Sequence, residues 1–311
     1  MKAIRIKQYG GPEVLTYEDA PVPTCREDDV LVRVVGASVN PVDWKIREGR
    51  LASALKHTLP LIPGWDVSGV VAAVGSRATR FKVGDAVFAR PDITRDGTFA
   101  EFVAMRETEA APKPATLSHI EAATLPLAGL TAWESLIVTA DLRAGQRVLV
   151  HAAAGGVGTL AVQLAKWRGA HVVATASARN HDLVRALGAD EVIDYRSTPF
   201  WEATRDLDVV FDTVGGDTQI RSWPLLKRGG ILVSITTRPS EVRALSLGVR
   251  AAYVFVQPSA EKLAGLAQLV DGGRLRPVVG AEVTLKDTRR AHEISQSGHT
   301  YGKIAVYVGQ P

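Results

Sequence analysis

The sequence predicts an α/β protein of two domains, a β-rich N-terminal domain and a doubly wound domain built on a parallel sheet. Three observations predict it. Up to about residue 109 the apolar runs are short and cut by turn residues, whereas from about residue 121 near-continuous apolar strands alternate with helical stretches. The last apolar run, residues 304–308, has no helix after it, so the chain returns to its first domain. The domains are expected at residues 1–123, completed by 260–311, and at 124–259.

The N-terminal strands follow from their punctuation. Residues 3–6, 30–35, 67–74, 86–89 and 99–103 are apolar runs of strand length, separated by Gly10-Gly11-Pro12, Pro21 to Pro23, Pro63-Gly64 and Gly84-Asp85. Residues 70–75 and 83–87 read as two strands joined by a polar loop. In the second domain strands are expected at 147–152, 171–176, 191–195, 208–214 and 231–236, with helices at 156–168, 180–187 and 218–226 between them. Residues 260–270 read as a helix of the returning segment.

Composition excludes several functions. With 37 Lys+Arg against 33 Asp+Glu the net charge is 37 − 33 = +4, and 46% of the chain is hydrophobic. That is globular, not disordered. The excess cations are scattered, which does not make a nucleic-acid footprint, so no nucleic-acid partner is expected. No window approaches 18 apolar residues without a charge or a breaker, so no membrane span is expected. Glu13, Glu18 and Asp19 interrupt the N-terminus, which lacks the apolar core of a secretory signal; a cytoplasmic protein is the expectation. The single cysteine, Cys25, admits neither an intramolecular disulfide nor a zinc site of three or four thiolates.

The strongest motif is the turn after the strand at 147–152. Ala153-Ala154-Gly155-Gly156-Val157-Gly158 leads straight into a helix, and on the G-x-G-x-x-G pattern its three positions are Ala153, Gly155 and Gly158. The first makes the tight turn, Gly155 lets backbone N–H groups approach a pyrophosphate, and Gly158 lets the helix pack on the strand. The phosphates would meet the positive end of the helix, beside Ala154, Gly156 and Val157. Between Thr159 and His181 there is no Asp or Glu to repel a 2′-phosphate, while Ser177, Arg179 and His181 follow the second strand. That favours NADPH (NADP+) over NADH. Tyr195, closing the third strand, would lie by the adenine or simply pack; Val214 and Gly215 end the fourth, where the backbone would pass close to a cofactor.

At this point the chain resembles the medium-chain dehydrogenase/reductase superfamily, most nearly its zinc-free quinone oxidoreductase or enone reductase branch, of zeta-crystallin type. The motifs are Ala37-Ser38-Val39-Asn40-Pro41-Val42-Asp43, Pro63-Gly64-Trp65-Asp66-Val67-Ser68-Gly69, Leu127-Ala128-Gly129-Leu130-Thr131-Ala132, the glycine turn, and Ser297-Gly298-His299-Thr300-Tyr301-Gly302-Lys303. The resemblance implies a GroES-like catalytic domain plus a Rossmann nucleotide-binding domain. It also implies a homodimer, formed by edge pairing of the nucleotide sheets around residues 253–256. Zinc-dependent relatives place a cysteine ligand where this chain has Asn40 and a histidine ligand where it has Trp65, with a neighbouring carboxylate at Asp66. By resemblance Asn40 holds the nicotinamide ribose or orients substrate, Thr131 touches the nicotinamide, and Thr236, Gly298, His299 and Lys303 lie with the cofactor.

An acceptor that needs no metal is already polarised: a quinone, or a C=C conjugated to a carbonyl. Asp43 either lines the pocket or caps a helix, with the structural role favoured, and Lys45 either stabilises an enolate oxygen or turns to solvent. His151 reads as a core residue or a pyrophosphate neighbour, and His57 and His292 as surface residues. Two rival functions stand beside the reductase: an enoyl-thioester or specialised-metabolite reductase, and a low-turnover NADPH-binding sensor or RNA-binding protein.

Overall fold

The computed structural model describes residues 1–310 and divides into two compact units. Unit 1 comprises Met1–Leu130, Gln257–Gly273 and the segment from Pro277 onward; unit 2 comprises Thr131–Val256 and Arg274–Arg276. In chain order the first elements are β1 (Lys2–Arg5), β2 (Thr16–Asp19), β3 (Asp29–Val39), α1 (Pro41–Arg47), β4 (Val67–Val74), β5 (Ala86–Ala89), β6 (Phe102–Arg106), β7 (Ala110–Pro112), α2 (His119–Ala122) and α3 (Pro126–Trp133). The middle of the chain forms β8 (Arg147–Val150), α4 (Gly156–Trp167), β9 (His171–Ala176), α5 (His181–Ala186), β10 (Glu191–Asp194), α6 (Phe200–Ala203), β11 (Leu207–Asp212), α7 (Gly216–Ser222), β12 (Leu226–Ser234), α8 (Glu241–Leu247) and β13 (Arg250–Tyr253). The return contributes α9 (Ala260–Asp271), β14 (Val279–Thr284), α10 (Thr288–Gln296) and β15 (Lys303–Tyr307).

Unit 1 is organised by a seven-stranded sheet in the order β14-β15-β3-β4-β5-β7, with β6 pairing β3 off that path. Every pair is antiparallel except β14 with β15. Its core gathers Val30, Val32, Val34, Trp65, Val87, Phe99, Met105 and, from the return, Ile304 and Val306. The alternation along β3 explains this, because one face of the strand is apolar and turns inward. The strand expected at residues 99–103 lies instead at Phe102–Arg106; Phe99 is a buried plug whose carbonyl accepts the Ile4 N–H at 2.8 Å.

Unit 2 holds a six-stranded sheet in the order β10-β9-β8-β11-β12-β13, all parallel. This is the doubly wound order, and the direction of winding reverses between β8 and β11, where ligands of such sheets bind. Its strands read as continuous apolar runs because both faces are covered; Val148, Leu149 and Val150 of β8 and Val209, Val210 and Phe211 of β11 are buried. No helix among the described residues is long and apolar enough to cross a membrane.

Candidate active site

Strand register assembles the polar centre of unit 1. β15 pairs β3 with Ile304 opposite Val39, and β4 pairs β3 on its other side with Val67 opposite Ala37. The residues just past those pairs are Lys303, Asn40 and Asp66, only 6%, 2% and 0% exposed. The Lys303 ammonium donates to the Val39 carbonyl at 3.1 Å, to Asp66 Oδ2 at 3.0 Å and to Asn40 Oδ1. Those three bonds use every N–H it has. Asn40 Nδ2 donates to Asp66 Oδ2 at 2.7 Å, as does Ser38 Oγ at 2.7 Å, and Asp66 Oδ1 accepts the Leu127 N–H at 2.6 Å. The Asn40 carboxamide therefore has one orientation, oxygen toward the cation and nitrogen toward the carboxylate. It keeps one N–H and one lone pair to offer elsewhere.

Asp43 sits at the third position of α1, where its Oδ2 accepts the Asn40 backbone N–H at 2.7 Å. Its Oδ1 is buried with no partner. Burial pushes its pKa up to about 8, against the pull of that N–H bond and of the Lys303 charge. The cap and the proximity to the site expected of Asp43 thus coincide. Lys45 points elsewhere: its Nζ lies 5.6 Å from the Trp44 ring centre, and it makes no hydrogen bond to the Asn40 group. Burial, and then the Arg50 charge, push its pKa down. Arg90 escaped the sequence reading. It follows β5 and is 2% exposed, with Nε unpartnered and Nη1 3.4 Å from the Pro91 carbonyl.

Two histidines read as surface residues are not. His292 is buried, its Nδ1 3.1 Å from Arg47 Nη1, and burial followed by the Arg47 charge pushes its pKa down to about 3. His57 is half-buried, its Nε2 2.7 Å from the Ile93 carbonyl and its ring 6.0 Å from that of Trp65. Gly298 holds φ +69° in the turn between α10 and β15, and His299 beside it is exposed.

In unit 2 the turn after β8 separates the two glycines. A Cβ on Gly158 would lie 2.3 Å from the Ala152 carbonyl oxygen and 2.7 Å from Ala153 Cα, so the close packing of α4 on its strand requires glycine there. A Cβ on Gly155 would meet only the Ala152 oxygen, at 3.2 Å, and its φ is −77°. Packing restricts this position far less than Gly158; a ligand lying against the backbone would restrict it further. The left-handed residue of the turn is Ala152, φ +46°, one position ahead of the turn position assigned to Ala153. Gly156, Val157 and Gly158 open α4, whose first N–H groups have no carbonyl of their own helix to meet.

The other expected cofactor residues stand at the carboxyl ends of adjacent strands. Ser177 and Arg179 follow β9, and His181 opens α5 with Nε2 3.4 Å from the Ala176 carbonyl. Tyr195 follows β10, its ring exposed. After β11, Asp212 Oδ1 accepts the N–H groups of Val214 at 3.0 Å and Gly215 at 2.7 Å, which closes a turn with Gly215 at φ +81°. A Cβ on Gly215 would strike Thr236 Oγ1 at 2.6 Å, so here the fold itself requires the glycine. His151 is a core residue, hydrogen-bonded to Thr175 Oγ1 at 3.2 Å and Ser222 Oγ at 2.9 Å. Thr131, in α3, is buried.

Two family models match the chain, one within unit 1 and one running from unit 2 into the returning segment of unit 1. The alcohol dehydrogenase GroES-like domain matches residues 26–115, and the zinc-binding dehydrogenase family matches residues 187–306. The chain is 37% identical to the NADPH-dependent alkenal/one oxidoreductase of Arabidopsis thaliana chloroplasts, covering 99% of this chain and 79% of that protein. Its fold superposes on the quinone oxidoreductase of Coxiella burnetii with a TM-score of 0.93 at 38% identity, covering 99% of both chains. It also superposes on the Escherichia coli quinone oxidoreductase complexed with NADPH, with a TM-score of 0.90 at 30% identity, covering 99% of this chain and 100% of that one.

Proposed function

Because this chain belongs to the medium-chain dehydrogenase/reductase superfamily of oxidoreductases, we propose that it is an NADPH-dependent, zinc-independent reductase of quinones or of the C=C bond of α,β-unsaturated carbonyl compounds. The observation that carries this reading is the donor set around Asn40. A catalytic zinc takes thiolate, imidazole or carboxylate ligands. The positions in question hold a carboxamide and Trp65, whose ring offers only an N–H, donated to the Arg95 carbonyl at 3.4 Å. The carboxylate beside them, Asp66, already faces an ammonium. Among the described residues no group of three or more His, Cys, Asp or Glu is placed to hold a metal. These residues do not fit a catalytic zinc, and an acceptor polarised by its own conjugation does not need one.

Gly155, restricted by packing far less than Gly158, supports a dinucleotide on the α4 turn. Ser177 and Arg179, with no acid between Thr159 and His181, support its 2′-phosphate. The two relatives named with NADPH support the same choice. Bound NADPH supplies a hydride. The chain's own part is to orient: Asn40 offers its remaining N–H and lone pair to the ribose or the acceptor, and Thr131 touches the nicotinamide. A homodimer belongs to the same reading, supported by β13 at the open edge of the six-stranded sheet.

The test is NADPH oxidation against a panel of quinones and enones. Turnover faster than with NADH and unchanged by a metal chelator is expected. Inhibition by the chelator would overturn zinc independence, and no turnover with any acceptor would overturn the reductase.

A further inference from the structure

We propose that Lys303 is a positioning residue, the resident cation that sets the Asn40 carboxamide, and that it makes no contact with the cofactor. This deepens the reductase reading and rests on it for its activity readout. The ammonium is buried and its three N–H bonds end on the Val39 carbonyl, Asn40 Oδ1 and Asp66 Oδ2. To reach a phosphate it would have to leave a buried carboxylate held only by neutral donors, Ser38, Asn40 and the Leu127 N–H, and a buried amide oxygen without its cation.

The backbone fixes its aim as well. Gly302 holds φ +59°, where a Cβ would lie 2.3 Å from the Val278 carbonyl oxygen, and the Lys303 N–H donates to that same oxygen at 2.8 Å. The side chain is thus launched from a locked strand start toward Asn40.

A carboxamide is nearly symmetric in shape, and only its neighbours decide which way it faces. Here the decision is electrostatic. Turning it over would aim N–H bonds at an ammonium and an oxygen at a carboxylate. With the ammonium removed, Asp66 alone holds one end, and the N–H and lone pair that Asn40 has left to offer lose their direction. The buried Arg90 guanidinium is near enough for its charge to act on Asp66 and Asp43, but it makes no hydrogen bond to Asn40, so it adds charge without directing the carboxamide.

The experiment is the Lys303→Ala variant with methylammonium as the added cation. Misdirecting Asn40 is expected to lower kcat by about 100-fold, while KM for NADPH stays within about threefold. Methylammonium should restore kcat saturably and raise the Tm of the variant. Tetramethylammonium, which has no N–H, should do neither, and methylammonium should leave the wild type and the Lys303→Ala/Asp66→Asn double variant unmoved. Unchanged kcat, or loss without rescue by methylammonium, would overturn the proposal. A raised KM for NADPH with kcat retained would return Lys303 to the cofactor. Should Lys303→Ala not fold, Lys303→Gln keeps donors without the charge and is expected to show the same kcat loss at unchanged KM; wild-type kcat in that variant would overturn the proposal. If the wild type reduces no acceptor, the reductase reading falls, and the Tm response to methylammonium still decides whether the cation site exists.

Discussion

Gly155 and Gly158 stand three positions apart in one turn and lack side chains for different reasons. At Gly158 an added methyl would meet backbone atoms that cannot yield, so Gly158→Ala is expected to cost about 1–3 kcal/mol or more of stability, measured by denaturant unfolding. At Gly155 an added methyl would meet one backbone oxygen, that of Ala152 at 3.2 Å, which must give by only a few tenths of an ångström. Gly155→Ala should cost clearly less stability than Gly158→Ala, by about 1 kcal/mol or more, and yet lose NADPH affinity, read by titration of cofactor fluorescence. Equal destabilisation of both variants would remove the ground for a cradle. Asp43 adds a dependence on pH. Its carboxyl titrates at about 8 when folded and at about 3.9 when unfolded. Between those values the folded chain keeps a proton that the unfolded chain has lost. The contribution to stability is therefore fully present below about pH 4, declines as pH rises, and is gone above about pH 8. Asp43→Asn should flatten the Tm profile across that window relative to the wild type. An identical slope in both proteins would contradict the burial argument. His151 and His292, pushed down to about 4 and about 3, act in the opposite sense, their contribution being lost as pH falls below about 6.5. Only the difference between variant and wild type isolates Asp43. The closeness of Asn40 and Asp43 was legible because one motif places both at the start of α1. The burial of Arg90 and His292 was not, since it depends on partners such as Arg47, 245 positions away from His292.

At the scale of elements, β4, β5 and β9 fall where the apolar runs end, and α4 ends one residue before its expected stop at Arg168. These segments are bounded by glycines or turns and are largely buried, so local pattern and tertiary demand agree. β14 and β13 were not legible. Along β14 the residues are only half-buried or exposed, and β13 is four residues long at a sheet edge, so neither writes a strong alternation. The edge has a consequence of its own. The Val254 N–H donates to the Ser234 carbonyl at 2.9 Å, so by alternation the N–H groups of Tyr253 and Ala251 point away from β12. Beside this edge α8 exposes Val242 and Leu245 at 79% and 80%. Ala251→Pro removes an outward N–H without touching the inner ladder. It is expected to convert a homodimer to monomer in light scattering while leaving far-UV circular dichroism unchanged. A dimer that survives the substitution would place the interface elsewhere.

For the whole molecule, two domains and a returning chain end were visible because a strand without a following helix cannot belong to an alternating sheet. The meeting of Lys303 with Asn40 and Asp66 was not, since it is a matter of register across 263 residues. That same register dictates an order of events. β15 enters the sheet between β14 and β3, and β6 covers only residues 29–33 of β3, so until β15 is made residues 36–39 of β3 lack their partner on that side, and residues 131–256 are synthesised before that partner exists. The lysine that orients Asn40 is thus among the last residues of the described fold to be synthesised. Pairing of β15 with β3, not the folding of residues 1–130 alone, completes the polar centre.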